Sequence, residues 1–207
     1  MRLILVRHGR PNEGDPGWQN DPPLNADGWR QARAAARLLA SERITRVVAS
    51  PLLLAHQTGG AARRAAWAAD GKDRGLGRSG SAGEPLPLDG DAARGGGEAW
   101  ARFLQDPIRY LGAEPDRFRN GVLQALRDTA ATETETSRVA VFTHGLPINV
   151  VLSHALGLAG IAHFLVGCGS VTRIRRRDDG DHGVSSVNET GHHKAHEGEQ
   201  WESKAQR

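Results

Sequence analysis

Short apolar runs alternate along this chain with longer stretches of helical periodicity. Residues 3–6, 47–49, 139–143 and 171–174 are rich in apolar and β-branched side chains and have the length of buried strands, and an edge strand is expected over 184–187. Asn25 is placed as the N-cap of a helix over 26–41, with Trp29, Ala32, Ala36 and Leu39 on one face. A second helix is expected over 52–67, weakened at Gly59-Gly60, because each Gly costs roughly 1 kcal/mol against Ala. Helical spacing returns over 98–111, with an interruption at Pro107, and over 117–131, where Phe118, Val122 and Leu126 form a stripe. The last helix opens near Pro147 and ends at Gly157, a residue suited to a left-handed C-terminal position. This alternation predicts an α/β fold: a single domain with a mostly parallel central sheet and helices on both faces.

The pattern fails in two places. Residues 70–97 are Gly-rich and lack periodicity, which suits either a cover over a site or an insertion. Residues 194–207 are polar with no apolar face and are expected to be a disordered tail, so the domain is expected to span 1–193.

Composition narrows the class of protein. With 38% hydrophobic and 25% charged residues in 207, the chain suits one globular domain. A formal net charge of +3, with arginines spread along the helices, does not imply nucleic acid. The one dense cluster, Arg173 with Arg175-Arg176-Arg177, is expected to be a solvated strand end. No run approaches the ~20 apolar residues of a membrane span, and the apolar run at 3–6 is too short for a signal peptide, so a cytoplasmic protein is expected. The single cysteine, Cys168, is expected to be a packing residue.

The candidate chemistry sits at strand ends, where open α/β sheets place their ligands. Two of the apolar runs close in His-Gly, at His8-Gly9 and His144-Gly145, and a third delivers Ser50 to the same edge. An imidazole with an unperturbed pKa near ~6.5 is neutral and nucleophilic at neutral pH, which suits His8. Arg7 matches phosphate oxygens bidentately, the N–H groups of the Gly9 turn add positive potential, and His144 opens a helix whose N-terminus favours anions. Phosphate esters are the substrate class this set suits. Among the other histidines, His192, His193 and His196 have spacings a metal could use if the tail were helical, while His56, His154 and His163 read as structural.

The chain resembles the histidine phosphatase superfamily, which includes the cofactor-dependent phosphoglycerate mutases. The resemblance rests on Leu5-Val6-Arg7-His8-Gly9, on Pro23-Leu24-Asn25 with Gly28 and Gln31-Ala32, on Ser50-Pro51-Leu52 with Ala55, Gln57 and Thr58, and on Thr143-His144-Gly145. It implies a phosphoglycerate mutase-like fold, a phosphorylated nucleophile at His8, and a phosphate pocket containing Arg7 and His144. Gly9, Arg10, Ser50 and Gly145 join these as expected substrate-binding residues. The resemblance implies a small phosphorylated metabolite as partner, and no metal or other cofactor.

Two positions depart from the family pattern. Where Ser-Pro-Leu-x-Arg-Ala carries a phosphate-binding arginine, this chain has Leu54, with Arg10 the nearest substitute cation in sequence. The carboxylate that protonates the leaving oxygen is Glu98, Glu84 or neither. The sequence therefore leaves three readings open: a phosphatase, a phospho-ligand-binding protein that has lost turnover, and a mutase. Substrate identity and oligomeric state are not encoded in any of these motifs.

Overall fold

The computed structural model describes residues 1–12, 21–70, 76–78, 115–176 and 182–196. In chain order these form β1 (Arg2–Arg7), α1 (Ala26–Ala40), β2 (Arg46–Ala49), α2 (Leu53–Asp70), β3 (Leu76–Arg78), α3 (Pro115–Ala131), β4 (Arg138–Thr143), α4 (Gly145–Leu156), β5 (Val171–Arg176), β6 (His182–Glu189) and a 3₁₀ helix (Gly191–His196). The six strands lie in the order β3-β2-β4-β1-β5-β6. The first four are mutually parallel, and β5 and β6 join through antiparallel pairings. The expected α/β domain with a mostly parallel sheet and helices on both faces is the one observed.

Alternation along β1 explains how the two helical layers attach. Ile4 and Val6 face a core built from Ala32, Ala36 and Leu39 of α1, Leu54 and Ala61 of α2, and Phe142. Leu3 and Leu5 face the opposite core, with Leu126 and Ala130 of α3 and Ile148, Val151 and Leu152 of α4. Because side chains alternate along a strand, one apolar run serves both layers. The chain after β1 turns to one face and the chain after β4 turns to the other. The neighbouring ends of β1 and β4 thus form a topological switch point, where such sheets open a crevice.

Local signals account for the helix limits. Asn25 caps α1 by accepting the Gly28 N–H at 2.8 Å. Gly157 ends α4 in the left-handed conformation, at φ 65°. Pro147 lies in the first turn of α4, where its missing N–H leaves no intrahelical bond unmade.

Three expectations are corrected. α2 runs unbroken through Gly59 and Gly60, where weakening is expected, and a Cβ at Gly59 would lie 3.1 Å from the Phe142 ring and 3.3 Å from Ala49. Gly lets the helix sit closely on the sheet, and tertiary packing outweighs its propensity cost. Residues 76–78, inside the stretch without periodicity, form an edge strand parallel to β2. Arg173 is not part of a solvated cluster: it is half-buried and pairs with Glu42 at 3.0 Å and Glu189 at 2.9 Å, tying β5 to the turn after α1 and to β6. Arg175 and Arg176 are exposed as expected. Residues 194–196 of the expected tail belong instead to the 3₁₀ helix, while Arg177, the expected helix over 98–111 and residues 197–207 lie outside the described residues.

Candidate active site

Strand register brings the two His-Gly ends together. Arg7 of β1 is paired with Thr143 of β4, so the next residue on each strand is a histidine. The His8 N–H donates to the Thr143 carbonyl at 2.9 Å, and the two rings stand with centroids 5.0 Å apart. On the other side of β4, Ala49 pairs with Phe142, and the Ser50 N–H donates to the Phe142 carbonyl at 2.9 Å. His144 and Ser50 therefore meet: His144 Nε2 lies 2.9 Å from Ser50 Oγ.

His8 is buried, and its tautomer follows from its partner. Nδ1 is 2.8 Å from the Gly9 carbonyl oxygen, which can only accept, so Nδ1 carries the proton. In the neutral ring the lone pair then resides on Nε2. Burial, then the neighbouring His144, then Arg7 hold the His8 pKa well below its ordinary value of 6.5, against a smaller upward effect of the Gly9 carbonyl. His144 is lowered from 6.5 to about 4 by burial and then by Arg7. His144 as a residue is partly buried, and its Nδ1 is buried with no hydrogen-bond partner among the described residues. Both imidazoles are thus neutral at neutral pH.

Arg7 is held at the same edge by a short bond from Nη1 to the Val166 carbonyl, at 2.6 Å. Its guanidinium lies against Gly145 at the start of α4, where a Cβ would come within 3.5 Å of Cζ. The segment just before Val166 is tied to α4 by Asn149, whose Oδ1 accepts the His163 and Phe164 N–H groups and whose Nδ2 donates to the Gly145 and Phe164 carbonyls. Asn149 is a supporting residue that the sequence reading did not single out. Its signal in the sequence is a polar residue inside the apolar stretch 146–152.

The Gly9 turn is shaped from outside. The Gly9 N–H donates to Thr58 Oγ1 at 3.1 Å, and Thr58 donates to the Leu54 carbonyl at 2.7 Å. The Arg10 N–H donates to Gln31 Oε1, and the Leu24 N–H to Gln57 Oε1. These turn donors are engaged within the protein, so the turn gives the site its shape and the positive potential comes from Arg7 and the start of α4. The Arg10 guanidinium is exposed and pairs with Asp27 at 3.3 Å. Leu54 is 3% exposed and belongs to the core beneath the sheet edge, so it brings no donor to the site.

His192 and His193 are engaged at the Gly169 turn beside the site. Both direct Nε2 to the Gly169 carbonyl, at 3.0 and 3.3 Å, and Gly169 in turn donates its N–H to the Arg7 and His8 carbonyls. Among the described residues no group of three or more His, Cys, Asp or Glu is arranged to hold a metal ion. Glu84 and Glu98, the two candidate acids, lie outside the described residues. No described helix is long and apolar enough to cross a membrane.

A family model for the histidine phosphatase superfamily, branch 1, matches residues 3–190. The chain belongs to that superfamily. A bifunctional protein of Mycobacterium tuberculosis is 33% identical over 204 residues, covering 92% of this chain and 54% of the relative. The chain thus spans about half the length of the curated relatives it matches. Among solved structures, a mycobacterial glucosyl-3-phosphoglycerate phosphatase superposes with a TM-score of 0.69 at 19% identity, covering 91% of this chain and 99% of that one. The phosphoserine phosphatase of Entamoeba histolytica in complex with 3-phosphoglyceric acid gives 0.65 at 20% identity, over 92% and 98% of the two chains. The alpha-ribazole phosphatase of Shigella flexneri gives 0.66 at 19%, over 91% and 96%. At these identities the likeness establishes the shared phosphoglycerate mutase-like fold.

Proposed function

We propose that this histidine phosphatase domain hydrolyses a small phosphate monoester through a phosphohistidine on His8 Nε2. The observation that carries the reading is the bond from His8 Nδ1–H to the Gly9 carbonyl, which leaves an unprotonated Nε2 on a buried, neutral ring at the switch point. In the first step the Nε2 lone pair attacks phosphorus, the P–O ester bond breaks, and the leaving oxygen departs as the alcohol after taking a proton from an acid. In the second step water attacks phosphorus and gives a proton back to the deprotonated acid, the P–N bond breaks with its electron pair returning to Nε2, and inorganic phosphate leaves. Arg7 and His144 flank the phosphoryl group, and they lower the barrier by meeting its charge with donors already in position. Glu98 or Glu84 is the proposed acid. The proposed setting is the cytoplasm, with a small phosphorylated metabolite as substrate.

The reading is tested by release of inorganic phosphate from a generic aryl phosphate. Turnover by the native chain that disappears in His8→Ala is the expected result. A native chain that binds phosphate yet releases none from a panel of sugar phosphates, phosphoglycerates and nucleotides would overturn it. That outcome would favour the second reading, a phospho-ligand-binding protein, for which the observation is Leu54: a buried side chain without a donor where the family pattern carries an arginine. A mutase remains the third reading, distinguished by phosphoryl transfer to a second hydroxyl in place of water.

A further inference from the structure

We propose that Ser50 is a positioning residue that sets the tautomer of His144, so that His144 Nδ1 carries the proton and donates it in a hydrogen bond to a bound phosphoryl group. The proposal rests on the reading of the site as a phosphoryl pocket and assigns Ser50 a role through His144 in place of direct contact with the anion.

The geometry supplies the direction of the bonds. Among the described residues Ser50 Oγ has two hydrogen-bonding neighbours, the Leu52 N–H at 3.4 Å and His144 Nε2 at 2.9 Å. A backbone N–H only donates, so Ser50 accepts from Leu52 through a long bond and has its own O–H left to give. Directed at His144, that O–H meets the Nε2 lone pair, and every group in the chain is used once: Leu52 N–H to Ser50 Oγ, Ser50 O–H to His144 Nε2. The opposite arrangement puts the proton on Nε2. Ser50 would then receive two donors while its own hydrogen found no acceptor among the described residues, a costly outcome for a buried hydroxyl.

The other ring nitrogen makes the choice matter. His144 Nδ1 is buried without a partner among the described residues, in a ring 5.0 Å from that of His8. An imidazole that stays neutral beside Arg7 has a single proton for its two nitrogens. With that proton on Nδ1 the ring offers a donor to an anion; with it on Nε2 the ring offers a lone pair, which repels one. Ser50 thereby decides whether His144 helps or hinders phosphate, although its hydroxyl need never touch it. The strands enforce this relation, because Ser50 and His144 each follow directly from the register of β2 and β4.

Proton–nitrogen correlation spectra of the full chain with isotope-labelled histidine read the tautomer directly, the His144 signals being identified by their loss in His144→Gln. At neutral pH the native protein is expected to show a protonated Nδ1 and a bare Nε2 at His144, with the Nδ1 signal moving on addition of inorganic phosphate. Ser50→Thr, which keeps the hydroxyl, should preserve this state. Ser50→Ala should mix or reverse the tautomers and weaken inorganic phosphate roughly tenfold, the size of one hydrogen bond to a charged group. A native His144 protonated on Nε2, an Nδ1 signal indifferent to phosphate, or a Ser50→Ala protein with unchanged tautomer and phosphate affinity would each overturn the proposal. Should Ser50→Ala fail to fold, the native and Ser50→Thr spectra decide it. Failure of the phosphatase reading shows separately, as absence of turnover, and leaves the tautomer measurement standing.

Discussion

Gly9 and Gly28 bring their backbones into contact. A Cβ built on Gly9 would lie 2.4 Å from the Gly28 carbonyl oxygen, and one built on Gly28 would lie 2.2 Å from the Arg10 carbonyl oxygen. The first turn of α1 is thereby pressed against the loop that follows the nucleophile candidate, and the Asn25 N–H bonds the Arg10 carbonyl at 3.0 Å beside this contact. Both glycines are required by space.

Gly28→Ala tests that closeness. A helical alanine gains about 1 kcal/mol of propensity over glycine. Against it stands a clash with backbone atoms that have no rotamer to move into, and overpacking of this kind costs about 1–3 kcal/mol. The clash should win. Thermal unfolding should shift downward by several degrees, a domain of this size losing about 2–4 °C per kcal/mol. Phosphate affinity should fall with it, because His8 and Gly9 are displaced together. An unchanged or raised Tm would show that the contact yields easily and that Gly28 is not needed for shape.

Thr58→Val removes one oxygen and leaves the volume in place. Thr58 is fully buried, accepts the Gly9 N–H and donates to the Leu54 carbonyl. Valine leaves the Gly9 N–H unsatisfied, at a cost of about 1–3 kcal/mol. The loss should appear in chemical denaturation as a lower midpoint with an unchanged slope. Turnover should drop if the Gly9 carbonyl, freed to shift, no longer orients His8 Nδ1. Thr58→Ser, which keeps the hydroxyl, should recover most of both.

These two cases mark the boundary of what the chain reveals before it is folded. The apolar runs at 3–6 and 139–143, the Asn25 cap and the Gly157 stop carry their signals locally, and the structure bears them out. Thr58, Gln31 and Gln57 were visible as motif residues, but the backbone N–H each one satisfies depends on where a distant loop travels. Arg173 was misread for the same reason: its partners Glu42 and Glu189 lie on other elements, and nothing in a run of arginines points to them. The strand at 76–78 is Leu-Gly-Arg, too short to show alternation, and only pairing with β2 makes it a strand. The proximity of His8 to His144 was inferable from strand ends, whereas their tautomers follow only from distances to Gly9 and Ser50.

Leu54→Arg probes the position at which the sequence resemblance leads one to expect an arginine. Leu54 packs in the core with Val6, Leu24 and Ala49, and a guanidinium there loses that packing and must escape burial. The variant is expected to have a lower Tm than the native chain in phosphate-free buffer. Inorganic phosphate should restore much of the loss, because the charge then has a partner at the sheet edge, and a ligand that binds only the folded state stabilises it. If the site lacks one phosphate donor, turnover of an aryl phosphate should rise, by up to the ~10²- to 10³-fold that a single transition-state donor supplies. A destabilised variant that phosphate does not rescue and whose turnover does not rise would show that the side chain cannot reach the pocket.

Lowered histidine pKa values give the pH dependence a definite sign. His144 titrates near 6.5 when unfolded and near about 4 when folded, and His8 is likewise well below 6.5. Between those values the unfolded chain binds more protons, so acid favours unfolding. The stability associated with His144 is fully present above pH 6.5 and is lost as pH falls toward about 4, up to about 3 kcal/mol at 1.36 kcal/mol per pKa unit. His8 adds to the loss in the same direction. Denaturation midpoints measured across this range should decline, and His144→Gln should flatten the decline. For catalysis the same shifts keep Nε2 of His8 unprotonated in mildly acidic solution. The acidic limb of kcat/KM, which reports groups of the free enzyme, should lie below the ordinary histidine range. A limb centred near 6.5 would mean that His8 is more open to water than its burial indicates, or that another residue attacks phosphorus.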